Sequence, residues 1–281
     1  MMQVEIICPL YNARNYIIDL NKSLLEQKDV KIKKITYILT ESKDDTEKIM
    51  KDNNIKYEKI TSKEFSHSLT REKYALRSKA DILVFITQDV VIKDELWLKK
   101  LIHNIEDDKC EAAFSRQVTK FNNIEKYTRE RNYPSESRIV SKKDLKDLGL
   151  RTFFFSDAAS AIKATIFKDL KGYDGKNLPT NEDMYFAYKL IMSGYRISYE
   201  AESIVYHSHN FKLKELYKRY KLTGMFMKQN SYLNKYGTNE SGMDLARYVL
   251  KRAWQDKNFK VLLRWLPDMT VRYIGMKVGK R

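Results

Sequence analysis

Short apolar runs alternating with helical stretches of about a dozen residues fill the first 115 positions, and this alternation constrains the fold more than any other feature. Residues 4–8, 35–39, 56–60, Ile82–Ile86 and 112–115 read as strands. Residues 15–27, 43–53, 69–79 and 95–105 carry helical periodicity between them, with Ile17, Leu20, Leu24 and Leu25 assigned to one inward face of the first. That order makes βαβ units, and hence an α/β fold: an open, mostly parallel nucleotide-binding sheet flanked by helices. The later chain is less regular. Residues 122–147 are polar with no clear period, 196–199 and 204–206 read as two short strands, and 180–192 as a helix closed by Gly194. Beyond Phe211 the chain reads as a helical, basic and aromatic extension, so the expected division is an α/β domain at 1–210 and an extension at 211–281.

With 281 residues, 43% hydrophobic and 32% charged, the chain can bury a sizeable core and is not of disordered composition. Its net charge of +16 favours polyanionic partners: nucleic acid, an anionic membrane surface or phosphorylated ligands. Nucleic acid is disfavoured because no recognised binding module accompanies the charge. Cys8 and Cys110 read as buried free thiols of a reducing compartment. With no secretory signal and no apolar run of membrane-spanning length, the expected location is cytoplasmic, with attachment to the inner face of the cell membrane allowed. Lys and Arg interleaved with Trp, Tyr and Leu after residue 211 fit an interfacial amphipathic helix, and fit equally helices packed on the α/β domain or on a second subunit of a homo-oligomer.

The chemistry starts at the end of the fourth strand. Ile82–Ile86 delivers Thr87-Gln88-Asp89 to the carboxyl edge of the sheet, where ligands of open α/β sheets bind. An aspartate there can hold a divalent cation on a diphosphate, since hard cations take oxygen ligands. The competing reading is a turn cap before the helix starting near Asp94.

Six segments in register resemble the inverting family 2 glycosyltransferases: Ile6-Ile7-Cys8-Pro9-Leu10-Tyr11-Asn12-Ala13, Thr40-Glu41-Ser42-Lys43-Asp44-Asp45-Thr46, Ser66-His67-Ser68-Leu69-Thr70-Arg71, Thr87-Gln88-Asp89, Asn181-Glu182-Asp183 and His207-Ser208-His209. The resemblance spans about residues 3–225. Phe65 to Arg71, then Phe85 to Asp89, then Trp97 look like the bacterial rhamnosyltransferase branch, with Ser68 where Gly is usual. The resemblance implies a GT-A-like fold and transfer of a sugar, L-rhamnose from dTDP-rhamnose, to a glycan or lipid-linked glycan hydroxyl in cell-surface polysaccharide synthesis.

It also implies roles. Pro9, Tyr11, Thr40, Glu41, Arg71, Gln88 and Asp157 are the expected donor-site contacts. Whether Thr40 or Glu41 reads the base stays open, and Asp157 has turn chemistry as its plain alternative. Asp89 with His207 or His209 would hold Mg²⁺ or Mn²⁺; exposed strand-end histidines are the alternative. Asp183 would be the catalytic base, assisted by Glu182. Against that stands a capping box, with Thr180 as N-cap and Asp183 three residues later. Asp44, Asp45 and Thr46 are read as helix caps. Two rivals remain: a nucleotidyltransferase, which would normally show a Gly-rich phosphate loop not visible near residue 10, and an inactive transferase-like protein that binds membranes or polyanions.

Overall fold

The computed structural model describes residues 1–281, with side chains at every position except 238–241. Eight strands form one sheet: β1 (Gln3–Leu10), β2 (Lys31–Thr40), β3 (Tyr57–Ile60), β4 (Ile82–Ile86), β5 (Ala112–Val118), β6 (Arg138–Val140), β7 (Ala159–Lys163) and β8 (Ile197–Tyr206). Their order is β3-β2-β1-β4-β7-β5-β8-β6. The β3-β2-β1-β4 half is parallel throughout, β7 runs antiparallel to both its neighbours, and β5–β8 are parallel again. The chain therefore has the open, mostly parallel α/β architecture expected of it, with a helical C-terminal region.

Strand parity explains the two main cores. In β4, Leu83 and Phe85 enter one buried cluster, while Ile82, Val84 and Ile86 enter the other. Ile7 and its neighbours Ile6 and Cys8 divide in the same way. A strand covered on both faces must be apolar at every position, which is why β4 reads as a continuous run.

Helices α1 (Ile17–Leu25), α2 (Thr46–Asp52), α3 (His67–Arg77) and α4 (Trp97–Glu106) connect the first half, and α5 (Ile124–Asn132) follows β5. Short α6 (Leu145–Leu148) and α7 (Ala164–Asp169) precede α8 (Glu182–Met192), α9 (Leu213–Gln229), α10 (Thr238–Gln255) and α11 (Phe259–Lys280). In α4, Trp97, Leu98, Leu101, Ile102 and Ile105 are fully buried on one face.

Several expectations need correction. Leu25 is exposed, because it is the last residue of α1 and lies 100° around the helix from Leu24. Residues 122–147 are not irregular: Asn123 caps α5 by accepting from Glu125 N, and β6 follows. The period was hidden because only Ile124, Tyr127 and Thr128 of α5 are buried among its many charges. The two late strands are one, β8, whose register against β5 jumps from Ser115↔Glu200 to Arg116↔Ile204. Pro9 lies inside β1 rather than ending it, beyond the last pair with β4 at Ile7↔Phe85, where only β2 still flanks the chain.

The C-terminal helices are joined to the rest by apolar contact. Phe226, Met227 and Leu233 belong to a main core, and Val249, Ala253 and Val261 pack with Ile124 and Tyr127. Among the described residues no helix is long and apolar enough to cross a membrane.

Candidate active site

The parallel half reverses its strand order between β1 and β4, and the crevice opens at their carboxyl ends. The Gln88 side chain bridges that crevice: its Oε1 accepts from Tyr11 N at 2.6 Å and its Nε2 donates to Tyr11 O at 2.8 Å. The loop after β2 is stitched to the same place. Asn12 N donates to Ser42 Oγ, Ala13 N to Thr46 Oγ1 and Arg14 N to Asp44 Oδ2. The expected capping holds for Asp44, whose Oδ1 accepts from Thr46 N at the start of α2, but not for Asp45, which makes no side-chain cap; Thr46 Oγ1 is spent on the loop.

Pro9, Leu10, Tyr11, Thr40, Ser62, Phe65, His67, Arg71, Thr87 and Gln88 line a cavity of about 470 Å³ over these loops. Thr40 is buried, and its hydroxyl has no hydrogen-bond partner. Glu41 is exposed and accepts from Ser62 N. Of the pair left open by the sequence, Thr40 is the one lining the cavity.

A second cleft of about 480 Å³ shares His67, Arg71 and Thr87 with the first, and Asp89, Asp157, Glu182, Asp183, His207 and His209 all line it. Asp89 Oδ2 lies 3.5 Å from His207 Nε2 and 3.8 Å from His209 Nδ1. Asp89 does not cap a turn; Asp94 bonds Leu96 N ahead of α4. Burial opposes the charge of Asp89, but the hydrogen bond and charge of His207, with the charge of His209, hold its carboxyl well below the usual range. Desolvation and the neighbouring His207 push His209 down to about 4.

Gln117, which sequence reasoning passed over, orients His207. Gln117 Nε2 donates to Ser156 Oγ at 2.8 Å, so its Oε1 is the acceptor facing His207 Nδ1 at 2.8 Å. Arg129 donates to the same oxygen. A proton on His207 Nδ1 is thereby held by Gln117, so Nε2, the nitrogen facing Asp89, is the one that can ligate a cation once its own proton is released. A metal-binding histidine needs this arrangement. One carboxylate and two imidazoles, with donor atoms within 4.8 Å of one another, fit a divalent cation that accepts nitrogen, Mn²⁺ better than oxygen-preferring Mg²⁺.

Across the cleft, α8 begins at Asn181, which takes the left-handed conformation (φ 60°, ψ 23°) and makes no side-chain cap. The competing capping box is absent: Asp183 Oδ1 accepts from Met184 N at 2.7 Å, and Asn181, not Thr180, is the N-cap. Glu182 is buried and pairs with Arg71 Nη1 at 3.2 Å. Arg71, only 3% exposed, also donates to His67 O, while its Nε is buried without a partner. Asp157 accepts from Ser160 Oγ at 2.8 Å and Tyr173 OH at 2.6 Å, so both its oxygens are already engaged. Burial raises Asp157 to about 6, against the pull of Arg71. Asp183 is pushed well above the usual carboxylate range, first by desolvation and then by the charges of Glu182 and Asp157. Ser68, in the place where glycine is usual, donates to Lys176 O at 2.6 Å and accepts from Leu178 N at 2.8 Å, tying α3 to the loop before α8.

The chain belongs to glycosyl transferase family 2, whose family model matches residues 5–171. Among its relatives is the O-antigen chain rhamnosyltransferase RfbN of Salmonella typhimurium, 30% identical over 99% of this chain and 90% of that protein. The O-antigen chain rhamnosyltransferase WbaN of Salmonella anatum is 28% identical over 100% of this chain and 90% of its own. In fold, the mannosyltransferase PcManGT from Pyrobaculum calidifontis, solved with GDP-Man and Mn²⁺, superposes with a TM-score of 0.63 over 99% of this chain and 88% of that one, at 13% identity.

Proposed function

We propose that this glycosyltransferase moves L-rhamnose from dTDP-rhamnose, with inversion, onto a hydroxyl of a glycan or lipid-linked glycan in cell-surface polysaccharide synthesis, on the cytoplasmic side. The observation that carries the reading is one cleft lined by both Asp89 and Asp183, opening into the cavity over β1 and β4. The names of the two rhamnosyltransferase relatives support the choice of sugar.

Tyr11, Pro9 and Thr40 would enclose the base, with Gln88 holding the Tyr11 loop in place. Arg71 would direct its unpartnered Nε at the diphosphate, with Glu182 fixing the guanidinium. Asp89, His207 and His209 would hold Mn²⁺ or Mg²⁺, which when bound neutralises charge building on the diphosphate. Asp183 uses Oδ1 to accept from Met184 N, leaving Oδ2 to take the acceptor hydroxyl proton. The acceptor oxygen then bonds to the anomeric carbon, and the bond to the nucleotide breaks on the opposite face with its electron pair going to the diphosphate. Asp157, with both oxygens engaged, would shape the cleft floor and bias its charge.

A product assay with dTDP-rhamnose tests this. Release of dTDP is expected, whereas release of pyrophosphate from a nucleoside triphosphate would point to a nucleotidyltransferase. Asp89→Ala is expected to remove the dependence of dTDP-rhamnose affinity on added Mn²⁺, read by calorimetry. Affinity that responds to Mn²⁺ as in the parent would refute the ligand role of Asp89.

A further inference from the structure

Helix α11 has two faces of opposite character. Val261, Asp268, Gly275 and Gly279 are its buried residues, and Arg272, on the same side, lines the catalytic cleft and bonds Asp268. At 100° per residue these positions centre on one side of the helix. Phe259, Leu263, Leu266, Tyr273 and Ile274 fall diametrically opposite, within a single stripe that also takes in Thr270 and Lys277. Those five large side chains are bare, at 68%, 82%, 63%, 66% and 46% exposure. One turn before α11, Trp254 at the end of α10 is 71% exposed.

The charge around this stripe is mainly positive. Residues 243–281 hold ten Lys and Arg against three Asp and no Glu. Two of those aspartates and three of the arginines are spent on each other, Asp268 with Arg272 and Arg264 and Asp256 with Arg252 and with Lys126, which leaves seven Lys and Arg against Asp244. A second copy of this face would set like charges against each other, which disfavours self-pairing. An anionic lipid surface offers the complement to both features, taking apolar side chains below its headgroups and attracting the basic rim.

We propose that the exposed face of α11, with Trp254, docks the protein on an anionic bilayer surface. The helix would lie in the interface plane, as its amphipathic pattern requires, and would not span. Because Arg272 on the inner face of the same helix lines the cleft, docking sets the cleft about one helix diameter from the headgroups. A lipid-linked acceptor would then reach the cleft without leaving the membrane. The docking itself does not depend on which sugar is moved, and vesicle binding is read without turnover. Its failure would therefore leave the transferase reading untouched.

The test is flotation of the full chain with vesicles of phosphatidylcholine alone and of equal parts phosphatidylcholine and phosphatidylglycerol. Trp97 is buried and Trp265 donates to Ala246 O, so Trp254 is the indole free to report by a blue shift of emission. The parent is expected to float with the anionic vesicles only, less so in high salt, with a blue shift that Trp254→Phe removes. Leu263→Glu with Leu266→Glu is expected to lower the partition coefficient about tenfold or more. Should that pair disturb folding, as judged by its thermal midpoint, Leu263→Ser with Leu266→Ser serves in its place. Variants that float as well as the parent would overturn the proposal, and so would a parent that ignores anionic vesicles. A parent that instead forms a dimer which the same variants abolish would assign the stripe to a second copy.

Discussion

Thr40 and Glu41 adjoin at the end of β2, yet their surroundings differ sharply. A buried hydroxyl without a partner costs free energy in the free protein and gains a bond when a ligand supplies one. Thr40→Val, nearly isosteric, is therefore expected to hold or raise the thermal midpoint and to weaken dTDP-rhamnose binding roughly three- to tenfold. Glu41→Gln should change that affinity by less than about twofold, since the side chain is exposed. Equal losses in both variants would remove Thr40 from the base site. Asp183 makes a second residue-level prediction. Its carboxyl is raised by desolvation and by Glu182 and Asp157, and a base works only when ionised. Activity is thus present above the raised pKa and falls as pH drops through it, well above the range of an ordinary aspartate. Asp183→Asn should lower kcat by about 10²–10⁴ and abolish that acidic limb while leaving donor affinity nearly unchanged. Full activity in the variant would end the base assignment. The sequence marked Asp183 through its motif but could not settle base against cap, because Thr180 and Asp183 also fit a capping pattern. The left-handed Asn181 decides against the cap.

At the scale of elements, α11 reaches the cleft wall because it can approach α9 closely. A Cβ on Gly275 would sit 2.8 Å from Tyr217 O, and one on Gly279 would drive into Lys221 O. Both obstacles are backbone, which cannot swing aside. Gly279→Ala is expected to destabilise the protein by about 1–3 kcal/mol through forced separation of the two helices. Gly242→Ala in α10 meets nothing within 4 Å and should be neutral or stabilising, as alanine is the better helix former. A denaturant series that gives both variants the same midpoint would refute the close-approach account. The elements themselves were unevenly legible. β4 and α4 announced themselves because both are buried along a full face. α5 did not, because three buried residues among Lys, Glu and Arg leave little periodic signal, and Gln117 was missed with it because a lone polar residue in a strand carries none.

For the whole molecule, Arg71 is a buried electrostatic link between elements, one guanidinium from α3 serving carboxyls of α8 and of the segment before β7. Burial opposes its charge, and Glu182, Asp157 and Asp183 among its neighbours outweigh that and keep it cationic. Removing one member of a buried ionic set strands the others. Arg71→Met is expected to cost about 3–5 kcal/mol near neutral pH. The pH dependence follows from the sign of the carboxyl shifts. Asp157, near 6, binds a proton in the folded chain that the unfolded chain, with an ordinary aspartate near 3.8, releases. Such a group favours folding increasingly as pH falls through 6 toward 4. Without Arg71 the carboxyls should protonate more readily still, so the deficit of the variant should shrink between about pH 8 and about pH 5. Urea unfolding at the two pH values measures this, and a constant deficit would contradict it.

What the sequence determined by itself was local: which runs are strands, which are helices, and which polar residues leave the carboxyl ends of β1, β2 and β4. Those follow from side-chain periodicity and from turn chemistry over a few residues. The resemblance joined Asp89 with His207 or His209, but only the tertiary structure set both histidines within 4 Å of Asp89 and brought Gln117 to His207 and Arg71 to Glu182. Their meeting is set by strand order. β7 pairs antiparallel between β4 and β5, and β8 lies beside β5, so the end of β8 comes to the mouth of the cleft at Asp89. No segment of chain encodes that order alone, because it is chosen by how the apolar faces of every element close over a shared core.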